Sequence, residues 1–184
     1  MRFVERGTQR YCIEDIHKED FKFSNIAAKR LPGSADETPR HVYVLWINDP
    51  ELLAFLKEQK CNVRDLTDIN GNVKYYCEFK AYVGMDQNKI TGKEELRPKV
   101  VLKTADGDAK RLKFEELNRA DAYYITEANI VFHIYHSTYR GDHYIPAIDE
   151  IWAVEDPNAA QHNVRDNHFA DKFGYKDDEE VPFE

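Results

Sequence analysis

Alternating hydrophobic and polar positions predict five short β-strands in this chain, and the clearest is VKYYCEFKAYV at 73–83. One set of alternate residues comprises Val73, Tyr75, Cys77, Phe79, Ala81 and Val83, and the other comprises Lys74, Tyr76, Glu78, Lys80 and Tyr82. Because successive side chains of a strand point to opposite faces, the first set is expected in the core and the second on the outside. The turn signal INGN at 69–72 precedes this strand.

Four further segments are rich in β-branched and aromatic residues, which is typical of strands. They are HVYVLWIN (41–48), RPKVVLKT (97–104), ANIVFHIYHSTY (128–139) and YIPAIDEIWAV (144–154). The sequence RGD at 140–142 predicts a turn between the last two. The polar segment 84–96 predicts a loop, and 111–118 is a candidate short helix.

The segment DPELLAFLKEQ at 49–59 has the signals of a helix start. Asp49 can accept hydrogen bonds from the first backbone N–H groups, and Pro50 suits the first helical position. Leu52, Leu53 and Leu56 then form one apolar face.

Short strands with one or two helices predict a mostly β (α+β) fold. A small five-stranded barrel of the oligonucleotide-binding type fits the strand count, as do other small barrels. Residues 1–40 are polar and irregular, and the chain becomes rich in Asn, Asp and His after Asp156. We therefore expect an N-terminal extension at 1–20, the barrel at 21–155 and a flexible, disordered acidic tail at 156–184.

The composition is that of a globular protein, with 42% hydrophobic residues in 184. The sequence has no apolar stretch of the roughly 18 residues that a membrane span needs, and its polar start does not resemble a secretory signal. We therefore expect no membrane association and a cytoplasmic location. Cys12, Cys61 and Cys77 are odd in number and lack metal-type spacing, which favours reduced thiols.

Charge is segregated along the chain, although the net charge is −8. Residues 74–113 hold ten lysines and arginines against six acids, whereas 171–184 hold six acids against two lysines. A basic segment followed by an acidic tail matters more for partner choice than the total charge does.

The outer residues of 73–83 are candidates for binding single-stranded DNA. Lys74, Tyr76, Lys80 and Tyr82 alternate cations with aromatic rings, and such surfaces stack bases while neutralising phosphates. Lys99 and Lys103 on the next predicted strand are expected to widen the same groove. Tyr139, Arg140 and Tyr144, at a hairpin end, are candidates to extend it. The alternative is that both tyrosines cover hydrophobic surface under a loop, with ordinary solvent-facing lysines beside them.

No catalytic, metal or cofactor site is predicted. His133 and His136 lie three positions apart on a strand, so they face opposite sides and do not share a metal. The chain has no glycine-rich phosphate loop and no nucleophile elbow. We therefore expect a protein that is not an enzyme.

Two parts of the sequence resemble single-stranded-DNA-binding proteins. The ending DDEEVPF resembles the acidic C-terminal tip of the bacterial family, although Glu184 follows Phe183 here. FKFSNIA (21–27), the segment 42–65 with its NVRD step and YYCEFKAYV (75–83) resemble a phage-encoded group with an oligonucleotide-binding fold. The tail resemblance implies partner docking through Asp177, Asp178, Glu179, Glu180, Val181, Pro182 and Phe183.

Together these resemblances imply sequence-independent binding of single-stranded DNA during phage DNA replication or recombination, in the host cytoplasm. The tail would recruit replication or recombination proteins. The alternative hypothesis is an acidic phage inhibitor that imitates DNA and binds a host nuclease or defence enzyme. The net charge of −8 fits that role, whereas the basic segment 74–113 fits it poorly.

Overall fold

The computed structural model of the protein describes residues 1–28, 40–139 and 141–159. Arg140 and the proposed docking residues of the tail lie outside these ranges, as does most of the predicted tail. The described residues form twelve β-strands, one α-helix and two 3₁₀ helices. In chain order these are β1 (Arg2–Glu5), β2 (Tyr11–His17), a 3₁₀ helix (Lys18–Asp20), β3 (Phe21–Asn25), β4 (Val42–Trp46), α1 (Pro50–Glu58), β5 (Arg64–Thr67), β6 (Val73–Lys80), β7 (Gly84–Gln87), β8 (Glu94–Arg97), β9 (Lys99–Lys103), β10 (Ala109–Arg111), a second 3₁₀ helix (Phe114–Ala120), β11 (Ile125–Ser137) and β12 (His143–Glu155).

Ten of these strands belong to one sheet, whose main path runs β1-β2-β11-β12-β6-β4-β3. β12 pairs in parallel with β6 at its start and with β9 further along, whereas the other pairings are antiparallel. β5 pairs with β6, and β10 pairs with β9. β7 and β8 form a separate hairpin.

The mostly β prediction is confirmed, but the five-stranded barrel is not. Within the described residues the sheet is open, because β1 and β3 end its main path and do not pair with each other. The length of β12 explains part of this difference. Its thirteen residues give room for β6 and β9 to pair one after the other on the same edge.

Several segments differ from the sequence prediction. The first twenty residues contribute β1 and β2 to the sheet, and the predicted loop 84–96 contains most of the β7–β8 hairpin. The candidate helix at 111–118 is a 3₁₀ helix starting at Phe114. The predicted helix at 49–59 is confirmed, and its buried residues are Leu52, Phe55 and Leu56.

One face of the sheet is buried and the other is open. Phe79, Phe132, Leu45 and Ile151 point into the core, where they share one buried cluster with the apolar residues of α1. The opposite side, here called the outer face, carries the residues of β6 that alternate with this core set. No helix in the described part of the chain is long and apolar enough to cross a membrane.

Candidate nucleic-acid interface

The strand β6 presents Tyr76, Glu78 and Lys80 on the outer face, as its alternation predicts, because Cys77 and Phe79 between them are buried. Pairing with the neighbouring strands brings further side chains to the same surface. Tyr76 is opposite Trp46 on β4 and opposite Arg64 on β5. An aromatic ring of β6 is therefore flanked by a second ring and by a guanidinium group.

Lysines lie over these rings. The Lys22 Nζ atom is 4.8 Å from the centroid of the Tyr76 ring and 5.3 Å from that of Trp46. Lys74 Nζ is 5.9 Å from the Trp46 centroid. The two rings meet edge to face with centroids 5.7 Å apart. Cations held at this distance from aromatic faces are in the range of cation–π attraction.

Three members of this cluster, Lys22, Arg64 and Tyr76, line a groove of about 680 Å³ on the outer face, here called the first groove. Five cations line it against two acids: Lys22, Arg40, Lys60, Arg64 and Lys80 against Glu78 and Asp142. Its aromatic lining comprises Phe23, Tyr76, Tyr82, Tyr139 and Tyr144. The groove thus combines an excess of positive charge with several rings.

Neither predicted tyrosine is sealed inside the protein. Tyr82 is 55% exposed and packs against Tyr135, with ring centroids 5.5 Å apart. Partial burial, together with Tyr135 and Glu78, raises the pKa of the Tyr82 hydroxyl. Tyr76 is half-buried. Tyr82 therefore offers an uncharged ring to a ligand at neutral pH.

Glu78 lies among the cations of the first groove. Its Oε1 atom is 3.5 Å from Lys80 Nζ and 3.8 Å from an Arg40 guanidinium nitrogen. These groups are partly exposed, so such pairs contribute little to stability. A phosphate entering the groove can take over these contacts without a large loss of folding energy.

Lys99 and Lys103 lie elsewhere on the outer face, because β9 is not a neighbour of β6. Lys99 pairs with Glu150 of β12, and Lys103 pairs with Val154 further along that strand. Tyr76, Lys80 and Tyr82 line the first groove, and Lys74 lies beside it over the Trp46 ring, whereas Lys99 lines a second groove. The sequence could not show this, since strand order depends on contacts between distant segments.

The histidines singled out in the sequence bind different carboxylates. His133 Nδ1 lies 2.9 Å from Asp149 Oδ2, and His136 Nε2 lies 2.9 Å from Asp142 Oδ1. His136 also stacks on Tyr144 with nearly parallel rings. Within the described residues, no group of three or more His, Cys, Asp or Glu side chains could hold a metal ion.

Sequence reasoning missed four cations of the first groove. Lys22 and Arg64 fall inside the motifs FKFSNIA and NVRD, so the resemblance carried a signal for both. Lys60 and Arg40 follow no pattern that would mark them. Lys60 comes just after α1, and Arg40 just before β4, so only the fold brings them to the groove.

Among known proteins, this chain is similar to several solved structures. No protein-family model matches the sequence, and no curated protein matches it. The chain is similar to the single-stranded DNA-binding protein from bacteriophage Enc34 in complex with ssDNA, with 9% identity and a TM-score of 0.48, over 80% of this chain and 87% of that one. A second structure of the Enc34 protein matches with 8% identity and a TM-score of 0.48, over 80% and 82%.

The chain is also similar to gp2.5, a single-stranded DNA-binding protein encoded by bacteriophage T7. The identity is 15% and the TM-score 0.36, over 78% of this chain and 83% of that one. The resemblance to phage single-stranded-DNA-binding proteins that the sequence indicates is thus confirmed as a resemblance. Because each TM-score is below 0.5, these likenesses assign no site and no activity to this chain.

Proposed function

We propose that this protein binds single-stranded DNA without sequence preference, in the first groove of its outer face. The observation that carries the proposal is the lining of that groove, which combines five cations with five aromatic side chains. Lysines and arginines attract the phosphates of any sequence, and exposed rings stack on any base. A groove with both groups suits an unpaired strand, whose bases are accessible to the rings.

Of the six residues predicted from the sequence, Lys74, Tyr76, Lys80 and Tyr82 carry the binding at the first groove in this proposal, whereas Lys99 and Lys103 lie on β9, which pairs further along β12. Tyr76 and Tyr82 act as stacking platforms, and Lys74 and Lys80 contact phosphates beside them. Lys22, which lies over the Tyr76 ring, belongs with this group on the geometry of the groove.

The biological role in this proposal is phage DNA replication or recombination, performed without catalysis. The acidic tip from Asp177 to Phe183 would recruit replication or recombination proteins. What supports this role is the resemblance of the tip and of the segments 21–27, 42–65 and 75–83 to single-stranded-DNA-binding proteins. A non-enzymatic role also agrees with the absence of a catalytic motif in the sequence.

A titration of labelled DNA tests the proposal. Fluorescence anisotropy is measured with a mixed-sequence single strand, a second strand of different sequence, and the duplex formed from the first. We expect both single strands to bind alike, the duplex to bind more weakly, and single-strand affinity to fall as salt rises. Absence of single-strand binding at low salt would overturn the proposal. Capture of a host nuclease by a protein that ignores DNA would favour the inhibitor instead.

A further inference from the structure

We propose that a second groove on the outer face is a second subsite for the same DNA strand, with Trp152 as its stacking platform and Lys99 as its phosphate contact. This inference rests on the proposed function. The inference adds two things to the proposed function. It defines a path for the DNA strand, from the first groove across Tyr82 to Trp152, and it gives the order in which the two subsites fill.

The second groove adjoins the first. It has a volume of about 990 Å³, and Tyr82 and Tyr144 line both grooves. Tyr82 also packs against Tyr135 at this junction. A strand that leaves the first groove therefore meets aromatic rings before it reaches the second one, so the two grooves form one continuous path.

Trp152 does not line the second groove but lies beside it, in contact with Lys99 and Glu150, which do line it. Its side chain is 41% exposed, although a large aromatic residue is usually more buried. The indole Nε1–H donates to Glu150 Oε2 at 2.9 Å, and Lys99 Nζ lies 4.5 Å from the ring centroid. These two contacts fix the ring orientation before a ligand arrives. An oriented, exposed ring beside a lysine can stack one base and contact its phosphate.

The strand β12 gives the length of the path. The first groove ends at Ile145 and Pro146 of β12, and Trp152 lies seven residues beyond Ile145. At about 3.3 Å per residue this separation is about 23 Å. A strand whose bases stack on one another at the duplex spacing of about 3.4 Å per nucleotide needs about seven nucleotides to cover this distance. We expect a stacked probe shorter than this to be held by the first groove alone.

The charges of the second groove make it the weaker subsite. Four cations, Arg10, Arg97, Lys99 and Arg111, face three acids, Glu95, Asp149 and Glu150. Arg10 is already bonded to Glu150 at 2.8 Å, and Arg111 to Glu95 at 2.9 Å. The first groove has five cations against two acids, so it attracts phosphates more strongly and fills first.

The two tryptophans of the chain allow each groove to be observed separately. Trp46 contacts Tyr76, which lines the first groove, and Trp152 contacts Lys99, which lines the second. The variants Trp152→Phe and Trp46→Phe each keep one indole as a fluorescent reporter and keep a ring at the substituted position. Both are titrated with oligothymidylates of about six and about fifteen nucleotides, which fall within the known range of site sizes.

We expect the short probe to quench Trp46 fluorescence and leave Trp152 unchanged, and the long probe to quench both. If the long probe quenches Trp46 but leaves Trp152 fluorescence unchanged, the second subsite is wrong and the proposed function stays intact. If neither probe binds, the proposed function fails as well.

Lys99→Ala, with Lys57→Ala as its control, tests the same inference through charge. Lys57 lies over Tyr75 on the core side of the sheet, with its Nζ atom 4.2 Å from that ring. We expect Lys99→Ala to make the salt dependence of long-probe binding shallower by about 0.7 in slope, which is the loss of one phosphate contact. Short-probe binding should stay as in the wild type, and Lys57→Ala should change neither. Equal effects of Lys99→Ala on both probes would overturn the proposed path.

Discussion

Tyr76 shows how a single residue can be tested for stacking. Its ring faces the first groove, whereas its neighbour Cys77 is 1% exposed and points into the core. Tyr76→Ala should weaken single-strand binding by about 1–3 kcal/mol, which is about five- to 150-fold, because one stacked base is lost. Tyr76→Phe should keep most of the affinity, since the ring remains.

Anisotropy titrations of both variants measure this difference, with thermal unfolding followed by circular dichroism to check that each one folds. If Tyr76→Phe loses as much affinity as Tyr76→Ala, the hydroxyl group is what the DNA contacts, and the stacking role is wrong.

The three cysteines test whether the core is as closed as the structure has it. Cys12, Cys61 and Cys77 are 2%, 8% and 1% exposed. Burial raises the pKa of Cys61 to about 11 and that of Cys77 to about 12, so both stay protonated and unreactive at neutral pH. Labelling by a thiol reagent at pH 8 should be slow and should become fast only on unfolding in denaturant. Rapid modification of one thiol in the folded protein would contradict its placement.

For single residues, the sequence predicted which face of a strand a side chain occupies better than it predicted which distant residues meet at the groove. Strict alternation in β6 was enough to place Tyr76 and Lys80 outside and Phe79 inside, because the period of a strand is two. It could not bring Lys60 or Arg40 to the same groove. Those positions depend on where α1 ends and where β4 begins in space, which no local pattern encodes.

The start of α1 depends on one carboxylate. Asp49 Oδ1 accepts hydrogen bonds from the backbone N–H groups of Glu51 and Leu52, and Oδ2 accepts one from Phe3 at 2.8 Å. Asp49 therefore caps the helix and also ties the first strand to it. Asp49→Ala should lower the free energy of unfolding by about 1–2 kcal/mol through the lost cap, with the Phe3 bond adding to this. Chemical denaturation measures this change.

The same carboxylate gives the helix a defined pH dependence. Burial alone would raise the pKa of Asp49, but the N–H groups of Phe3, Leu52 and Glu51 lower it below the ordinary value. A pKa that is lower in the folded state stabilises the fold above about pH 4, the ordinary aspartate value, and the contribution is lost as pH falls through the folded value. Asp49→Asn keeps an amide cap without the titration. Its unfolding free energy should therefore fall less between pH 5 and pH 2 than that of the wild type, and equal losses would contradict this account.

Elements with strong local patterns were predictable, and those that need distant partners were not. The helix at 50–58 carries its own capping signals, and β12 is rich in β-branched residues. By contrast, all four residues of the β7 sequence GMDQ are exposed and show no apolar alternation, so the segment looked like a loop. β1 becomes a strand by pairing with β2, and β2 also pairs with β11, more than a hundred residues away in sequence.

For the whole molecule, charge segregation predicts a role for the acidic tail. Residues 171–184 carry six acids against two lysines, and the first groove carries the opposite excess. Deleting residues 176–184 should leave single-strand affinity equal or higher, because an attractive competitor for the groove is removed. The deletion should also abolish binding of replication or recombination partners in a pull-down. Clearly weaker DNA binding by the shortened chain would contradict this role.

The central claim is that position on the outer face, and not total charge, creates DNA affinity. Two double variants that remove two positive charges each test it directly: Lys22→Ala/Lys80→Ala in the first groove, and Lys18→Ala/Lys57→Ala away from it. Lys18 pairs with Asp156 at the far end of β12, and Lys57 lies over Tyr75 on the core side. Affinity for one oligothymidylate is measured over a range of salt concentrations. We predict weaker binding and a slope shallower by about 1.4 for the groove pair, with the control pair close to wild type. Equal losses in both variants, or a loss in neither, would contradict the claim.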